Sequence, residues 1–229
     1  MLALKLGRSL NTIRPYGEWT PAGDGGLVAW YQKGRGVTLE PTTTNVQTWA
    51  DSSGNARDMK QLTLTEQPAY NAGTGVITFD SSKTQNLQTA SQISLSGEFT
   101  IGMRINMATA GGVPIADNTT GGEFIKFSTS SQMRIKIDNS QADITLNGGT
   151  TFGDNYLVIT RDSSDVITLH VDGVKQTDTE TLAGTADIDA LGVRKPDLNP
   201  FNGTMTEIQI YSESNGTLTA NVNEYLSNL

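Results

Sequence analysis

Large apolar and polar residues alternate with a period of two through much of this sequence. In Phe99-Thr100-Ile101-Gly102-Met103-Arg104-Ile105-Asn106-Met107 every odd position is large and apolar, and every even one small or polar. That is the pattern of a strand with one buried face and one wet face. Gln132–Ile137 repeats it with the cations outward, and Val166–Val171 forms a third run. Asp172-Gly173 then turns the chain into Val174-Lys175-Gln176, as a type I′ hairpin would. The same reading places strands at 27–32, 76–80, 123–128, 143–146, 156–161 and 206–210. Helical spacing occurs at the end, where Val222, Tyr225, Leu226 and Leu229 recur every three or four residues and Thr219 stands where a cap belongs. Many short strands and almost no helix predict an all-β, two-sheet antiparallel sandwich.

Composition adds an organisation. The 229 residues carry a net charge of -8, yet only 17% are charged, below the roughly 25% usual in soluble domains. Ser, Thr, Asn and Gln make up 75 positions, so the polarity is mostly uncharged. Lys5, Arg8 and Arg14 give residues 1–17 a charge of +3 with no acid, leaving -11 on the rest. Leu2, Leu4 and Leu6 alternate there, and Pro15, Gly17, Pro21, Gly23, Gly25 and Gly26 follow. Residues 1–25 therefore read as an extended arm and linker, and 26–229 as the sandwich. Such an arm can add to a neighbour's sheet edge or pack on its own domain. The absence of Cys excludes a disulfide scaffold and a thiol nucleophile. The acidic balance argues against a nucleic-acid partner. No run is long and apolar enough for a membrane span or a signal peptide, so the chain is expected to be made in a cytoplasm.

Several segments, in order, resemble the concanavalin A-like, laminin G-like jelly-roll family. Trp49-Ala50-Asp51-Ser52-Ser53-Gly54-Asn55 is similar to its W-x-D-x-S-G-N segment, and Pro68-Ala69-Tyr70 to its P-x-Y. Gly75 to Asp80 looks like its next strand, Asn86-Leu87 stands in the place of its usual Y-L pair, and Glu98 to Ile101 resembles the strand that follows. Ile167 to Val174 resembles its v-d-G hairpin, and Phe201 to Ile208 its f-x-G-x-i-x-E-i segment. The resemblance covers about residues 26–229 and implies a jelly roll with a short C-terminal helix. It says less about activity, because one fold hosts many functions. The same residues also have architectural readings: Trp49 as a core anchor, Asp51, Ser52 and Asn55 as turn closers, Glu207 as an anchor of the last strand.

Catalytic patterns are scarce. Glycoside hydrolysis needs two carboxylates flanking the scissile bond, and no Glu is followed by an Asp two residues on. Asp187 and Asp189 form a pair without a third carboxylate. The single histidine, His170, lies opposite Ile167, Leu169 and Val171 without a nucleophile elbow nearby. Gly34-Arg35-Gly36 lacks the ending of a phosphate loop. No catalytic residue, cofactor or metal is expected; the resemblance leaves room only for calcium on loop oxygens, with Asp117 and Asn118 as rim ligands.

A non-catalytic module remains, in two forms. A basic arm ahead of a jelly roll resembles bacteriophage structural proteins. This implies a capsid decoration protein in the virion, docked on capsid or other virion proteins through Leu2, Leu4, Lys5, Leu6, Arg8 and Arg14. A homo-oligomer formed by exchange of the arm fits that picture. The alternative is a lectin of a tail fibre or adhesin that binds host surface glycans, with Trp19, Trp30, Tyr31 and Tyr211 as sugar contacts if their rings are exposed.

Overall fold

The computed structural model describes residues 19–120, 122–147, 152–194 and 198–229; the arm residues Leu2, Leu4, Lys5, Leu6, Arg8 and Arg14 lie outside them. The first strands are β1 (Leu27–Tyr31), β2 (Val37–Leu39), β3 (Val46–Trp49), β4 (Met59–Lys60), β5 (Ala69–Asn71) and β6 (Val76–Phe79). The middle of the chain forms β7 (Leu87–Leu95), β8 (Phe99–Met107), β9 (Ile115–Ala116), β10 (Phe124–Thr129), β11 (Gln132–Ile137) and β12 (Ser140–Thr145). Then come β13 (Gly153–Arg161), β14 (Val166–Val171), β15 (Val174–Lys175), β16 (Glu180–Thr181), β17 (Ala186–Leu191) and β18 (Gly203–Tyr211), before helix α1 (Gly216–Ser227).

Among the described residues these strands build two antiparallel sheets. The first runs β15-β14-β13-β8-β18-β6-β5, with β1 on β18 and β16 on β14. The second runs β12-β11-β10-β9-β17-β7-β4-β3-β2. The alternation explains the core: Ile101, Met103, Ile105 and Met107 from β8 meet Ile125, Phe127, Met133 and Ile135 between the sheets. The expected turn is present, with positive φ at both Asp172 (49°) and Gly173 (77°).

The outer face of β8 departs from its expected wetness. Thr100 and Gly102 are buried because α1 lies across β8 and β13, seating Leu218, Val222 and Leu226 against Val158 and Tyr211. A Cβ on Gly102 would stand 2.5 Å from Val222 Cγ1, so the absent side chain is what lets the helix approach. The helix is capped by Asn215, whose Oδ1 accepts from the Leu218 amide at 2.8 Å. Thr219, expected as the cap, sits inside the helix and donates its hydroxyl to the Asn215 carbonyl.

Arg161 carries a charge into the interior of the sandwich. β13 alternates Leu157 and Ile159 inward, and the same register turns Arg161 into the end of the sandwich. Its guanidinium donates to the carbonyls of Leu95, Gly97, Leu182 and Gly184 and lies 4.9 Å from the Phe99 ring centroid. These carbonyls come from segments of both sheets, so Arg161 ties the two layers together at that end.

Candidate functional site

The outer face of the first sheet carries an open groove of about 330 Å³ where β1 leaves the sheet beside the end of α1. It is lined by Thr20, Trp30, Gln32, Lys33, Arg35, Glu207, Tyr225 and Leu229. β1 pairs with β18 so that Trp30 stands opposite Gln209 and Tyr31 opposite Ile208. This alternation points Trp30 outward and Tyr31 into the core.

The floor is a locked carboxylate. Glu207 is almost fully buried; it accepts from Trp30 Nε1 at 2.5 Å, from the Lys33 amide at 2.7 Å and from Gln209 Nε2 at 3.4 Å. Tyr225 also hydrogen-bonds it. Burial pushes the Glu207 carboxyl above its ordinary range, and these donors pull part of the way back. The Gln32–Gly36 turn is pinned by Gly34 N–H donating to the Gly75 carbonyl and Arg35 N–H to that of Gln32. Lys33 donates its ammonium to the Leu229 main-chain oxygen, while Arg104 donates to Leu226 O. Two cations thus satisfy carbonyls at the end of α1. Arg35 is exposed at the rim.

Three of the expected sugar contacts converge here. Trp30 lines the groove but is 7% exposed, so it offers an edge instead of a stacking face. Trp19 is half-buried; its ring lies 6.4 Å from Tyr211 and 6.3 Å edge-on from Tyr225. Tyr211 lies beneath them, fully buried, its hydroxyl donating to Gln209 Oε1. Tyr31 is buried on the other side of the sheet, 5.6 Å from Trp49, with its hydroxyl on the Arg57 carbonyl. Neither Tyr31 nor Tyr211 presents a ring to a ligand, because strand register turns the first inward and α1 covers the second. Thr20, Gln32, Lys33 and Arg35 are groove residues sequence reasoning missed, and Tyr225 and Leu229 were read there only as helix positions. The one local signal was Gly34-Arg35-Gly36, a tight turn that presents a cation.

The architectural readings hold for Trp49, Asp51, Asn55 and Glu207. Trp49 is buried and donates Nε1 to Gln32 O. Asp51 accepts from the amides of Trp30, Ser53 and Arg57, and Asn55 donates to the carbonyls of Leu27 and Val28. His170 is half-buried on the outer face of β14, and burial pulls its pKa down, as does Lys175.

A second acidic locus lies at the β9–β10 loop. Asp117 is buried and accepts from the amides of Thr119 and Thr120, from the Thr120 hydroxyl and from Gln92. Its oxygens therefore close a turn, which is a structural use for the group expected as a calcium ligand. Glu123 packs against it; burial and the facing Asp117 push its carboxyl up to about 7. For Asp117, burial raises the pKa, but the Thr119 and Thr120 donors outweigh it and the net shift is downward. Unequal carboxyls can serve as an acid–base pair; here both are buried in the loop. Asp189 is likewise engaged, by Asn118 N–H and the Thr119 hydroxyl, beside a bulge in β17.

Comparison with known proteins agrees with this architecture. No curated protein matches the chain in sequence. The binding domain of Paraclostridial Mosquitocidal Protein 1 superposes with a TM-score of 0.62 at 15% identity, over 91% of this chain and 53% of that one. The botulinum neurotoxin serotype D ligand binding domain, in complex with N-acetylneuraminic acid, gives 0.62 at 10% identity, over 89% and 51%. This chain spans about half the length of those toxin domains. Domain 4 of AbnA, a GH43 extracellular arabinanase from Geobacillus stearothermophilus in complex with arabinotriose, gives 0.57 at 15% identity, over 88% and 98%. At such identities the likeness is one of fold. The sequence itself matches the laminin G-type family model over residues 80–220, from the end of β6 into α1, and on that match the chain belongs to the concanavalin A-like lectin/glucanases superfamily.

Proposed function

We propose that this domain is a non-catalytic glycan-binding module that holds a saccharide in the groove lined by Gln32, Arg35 and the edge-to-face pair Trp30 and Tyr225. The observation that carries the reading is an aromatic-walled opening whose floor carboxylate is saturated while rim groups remain for a ligand. The Gln32 amide, the Thr20 hydroxyl and the Arg35 guanidinium line it, the amide, hydroxyl and cation that orient a sugar in an apolar-walled site. Its volume falls within the ~300–1,000 Å³ usual for ligand sites. The ligands bound to two structural neighbours, N-acetylneuraminic acid and arabinotriose, support a saccharide as the class. Among the described residues Glu207 is the carboxylate lining the groove, and hydrolysis would need a second across the bond. Titration with saccharides selected on a glycan array tests this. Arg35→Ala and Gln32→Ala should each weaken binding about tenfold, the cost of one hydrogen bond to a charged or polar partner, with unchanged melting. Failure of the wild-type domain to bind any glycan would overturn the reading.

The charge contrast between residues 1–17 and the acidic remainder favours a second reading of how the module is carried. In it the arm docks on a virion particle and the sandwich faces outward toward host glycans. Deleting residues 1–17 should then abolish particle attachment and leave the sandwich folded; undiminished attachment would refute the arm's role.

A further inference from the structure

The outer face of β10 and β11 concentrates positive charge on an acidic protein. Ile125 and Phe127 point into the core, so Phe124 and Lys126 face outward. Lys126 stands directly opposite Arg134, and Phe124 opposite Lys136. Like charges directly opposed across two strands are destabilising, and cations two residues apart on one strand stand about 7 Å from each other. Phe124 joins Val113 and Ala116 in a small apolar cluster on this face. Two cations share its ring: Arg194 Cζ lies 4.9 Å from the centroid and Lys126 Nζ 5.7 Å.

The carboxylate beside this group is already taken. Asp143 binds Arg134 in a two-pronged pair, 2.6 Å from Nε and 2.7 Å from Nη2. Among the described residues neither Lys126 nor Arg194 has a carboxylate within ion-pair distance. Arg194 Nε is buried without a hydrogen-bond partner. Burial lowers the Lys126 pKa, and the neighbouring Arg134 and Arg194 charges lower it further. Asp143 relieves part of this repulsion, through its pair with Arg134 and its attraction on Lys126, and the net effect on Lys126 is still downward.

We propose that Lys126, Arg134 and Arg194 around Phe124 form a second binding site, separate from the groove, for the anionic groups of an acidic polysaccharide. An arriving carboxylate would relieve the repulsion and accept the donors of Arg194 and Lys126, while Asp143 holds Arg134 in place. A flat cationic strip suits an extended polymer, whereas a small molecule needs a cavity. The overall charge of -8 repels any polyanion at long range, so binding at this strip rests on its local cations and is weakened by salt.

The test titrates oligogalacturonate, its neutral methyl ester and a single-stranded DNA oligonucleotide into the wild-type chain, Arg35→Ala and the Lys126→Gln/Arg194→Gln double variant. Oligogalacturonate should bind the wild type and Arg35→Ala alike, weaken with added salt, and lose at least about tenfold in the double variant. The methyl ester should not compete. If the double variant melts early, Lys126→Gln alone carries the test, since its ammonium is an outward group. Absence of oligogalacturonate binding, equal binding by the variants, equal binding of the methyl ester, or tighter binding of DNA would each overturn the proposal. Loss in Arg35→Ala instead would place the anion in the groove and overturn the second site.

Discussion

Arg161 and Arg194 place the same guanidinium in two regions with opposite outcomes. Arg161 closes one end of the sandwich, fully buried, with its donors on four main-chain carbonyls and its plane near Phe99. Arg194 lies on the outer face of the second sheet against Phe124, beside two other cations, with a buried Nε that has no acceptor among the described residues. A buried charge with every donor satisfied serves the fold, and removing it strands its partners. A cation held against an aromatic ring with its polar edge unengaged adds little to the fold and has donors left for a ligand. The same contrast separates Glu207, saturated beneath the groove, from Glu123, whose Oε2 lacks a hydrogen-bond donor.

The comparison breaks first at Arg161. Arg161→Met should cost about 3–5 kcal/mol, because the carbonyls of Leu95, Gly97, Leu182 and Gly184 lose their donor; a change below about 1 kcal/mol in urea denaturation would show that water replaces it. Gly102→Val comes next. Its Cβ would meet Val222, so α1 must shift, at a cost of about 1–3 kcal/mol, read by thermal melting and by changed Trp fluorescence near the groove.

Glu123 lies between the extremes. Its folded pKa of about 7 exceeds the ordinary 4.5, so the folded state holds a proton that the unfolded chain has released between those values. Stability from this group is therefore present below about 4.5, falls as pH rises, and is lost by about 7. Glu123→Gln keeps the neutral form at every pH, so melting above pH 7 should rise by about 4 °C and the slope between pH 5 and 7 should flatten. A parallel pH profile for variant and wild type would contradict the pairing with Asp117. Smallest is Arg194→Gln, expected to change stability by less than about 0.5 kcal/mol; a loss as large as that of Arg161→Met would abolish the distinction.

The sandwich was legible wherever one face of a strand is buried and the other wet. β8, β11 and β14 appear with the boundaries their alternation predicts, because misregister would turn Met103 or Leu169 into water. β7 escaped notice: its Gln, Thr and Ser residues carry little contrast, and Ile93 and Leu95 are its only late apolar markers. The groove was not legible, since Trp30 and Glu207 meet across 177 positions of sequence and Lys33 and Arg35 gain meaning only beside Tyr225 and Leu229. Aromatic residues marked the right neighbourhood through Trp19, Trp30 and Tyr211, but nothing in the sequence told that α1 would bury Tyr211. Arg161 reads as the polar end of a strand until the inward register of β13 is known.

The most direct test of the glycan-binding account is a crystal structure of the domain with the saccharide that binds it most tightly on an array. The account predicts electron density for a sugar ring against Trp30 and Tyr225, with hydrogen bonds from Gln32 and Arg35. A saccharide bound elsewhere, with the groove holding only solvent, would contradict it.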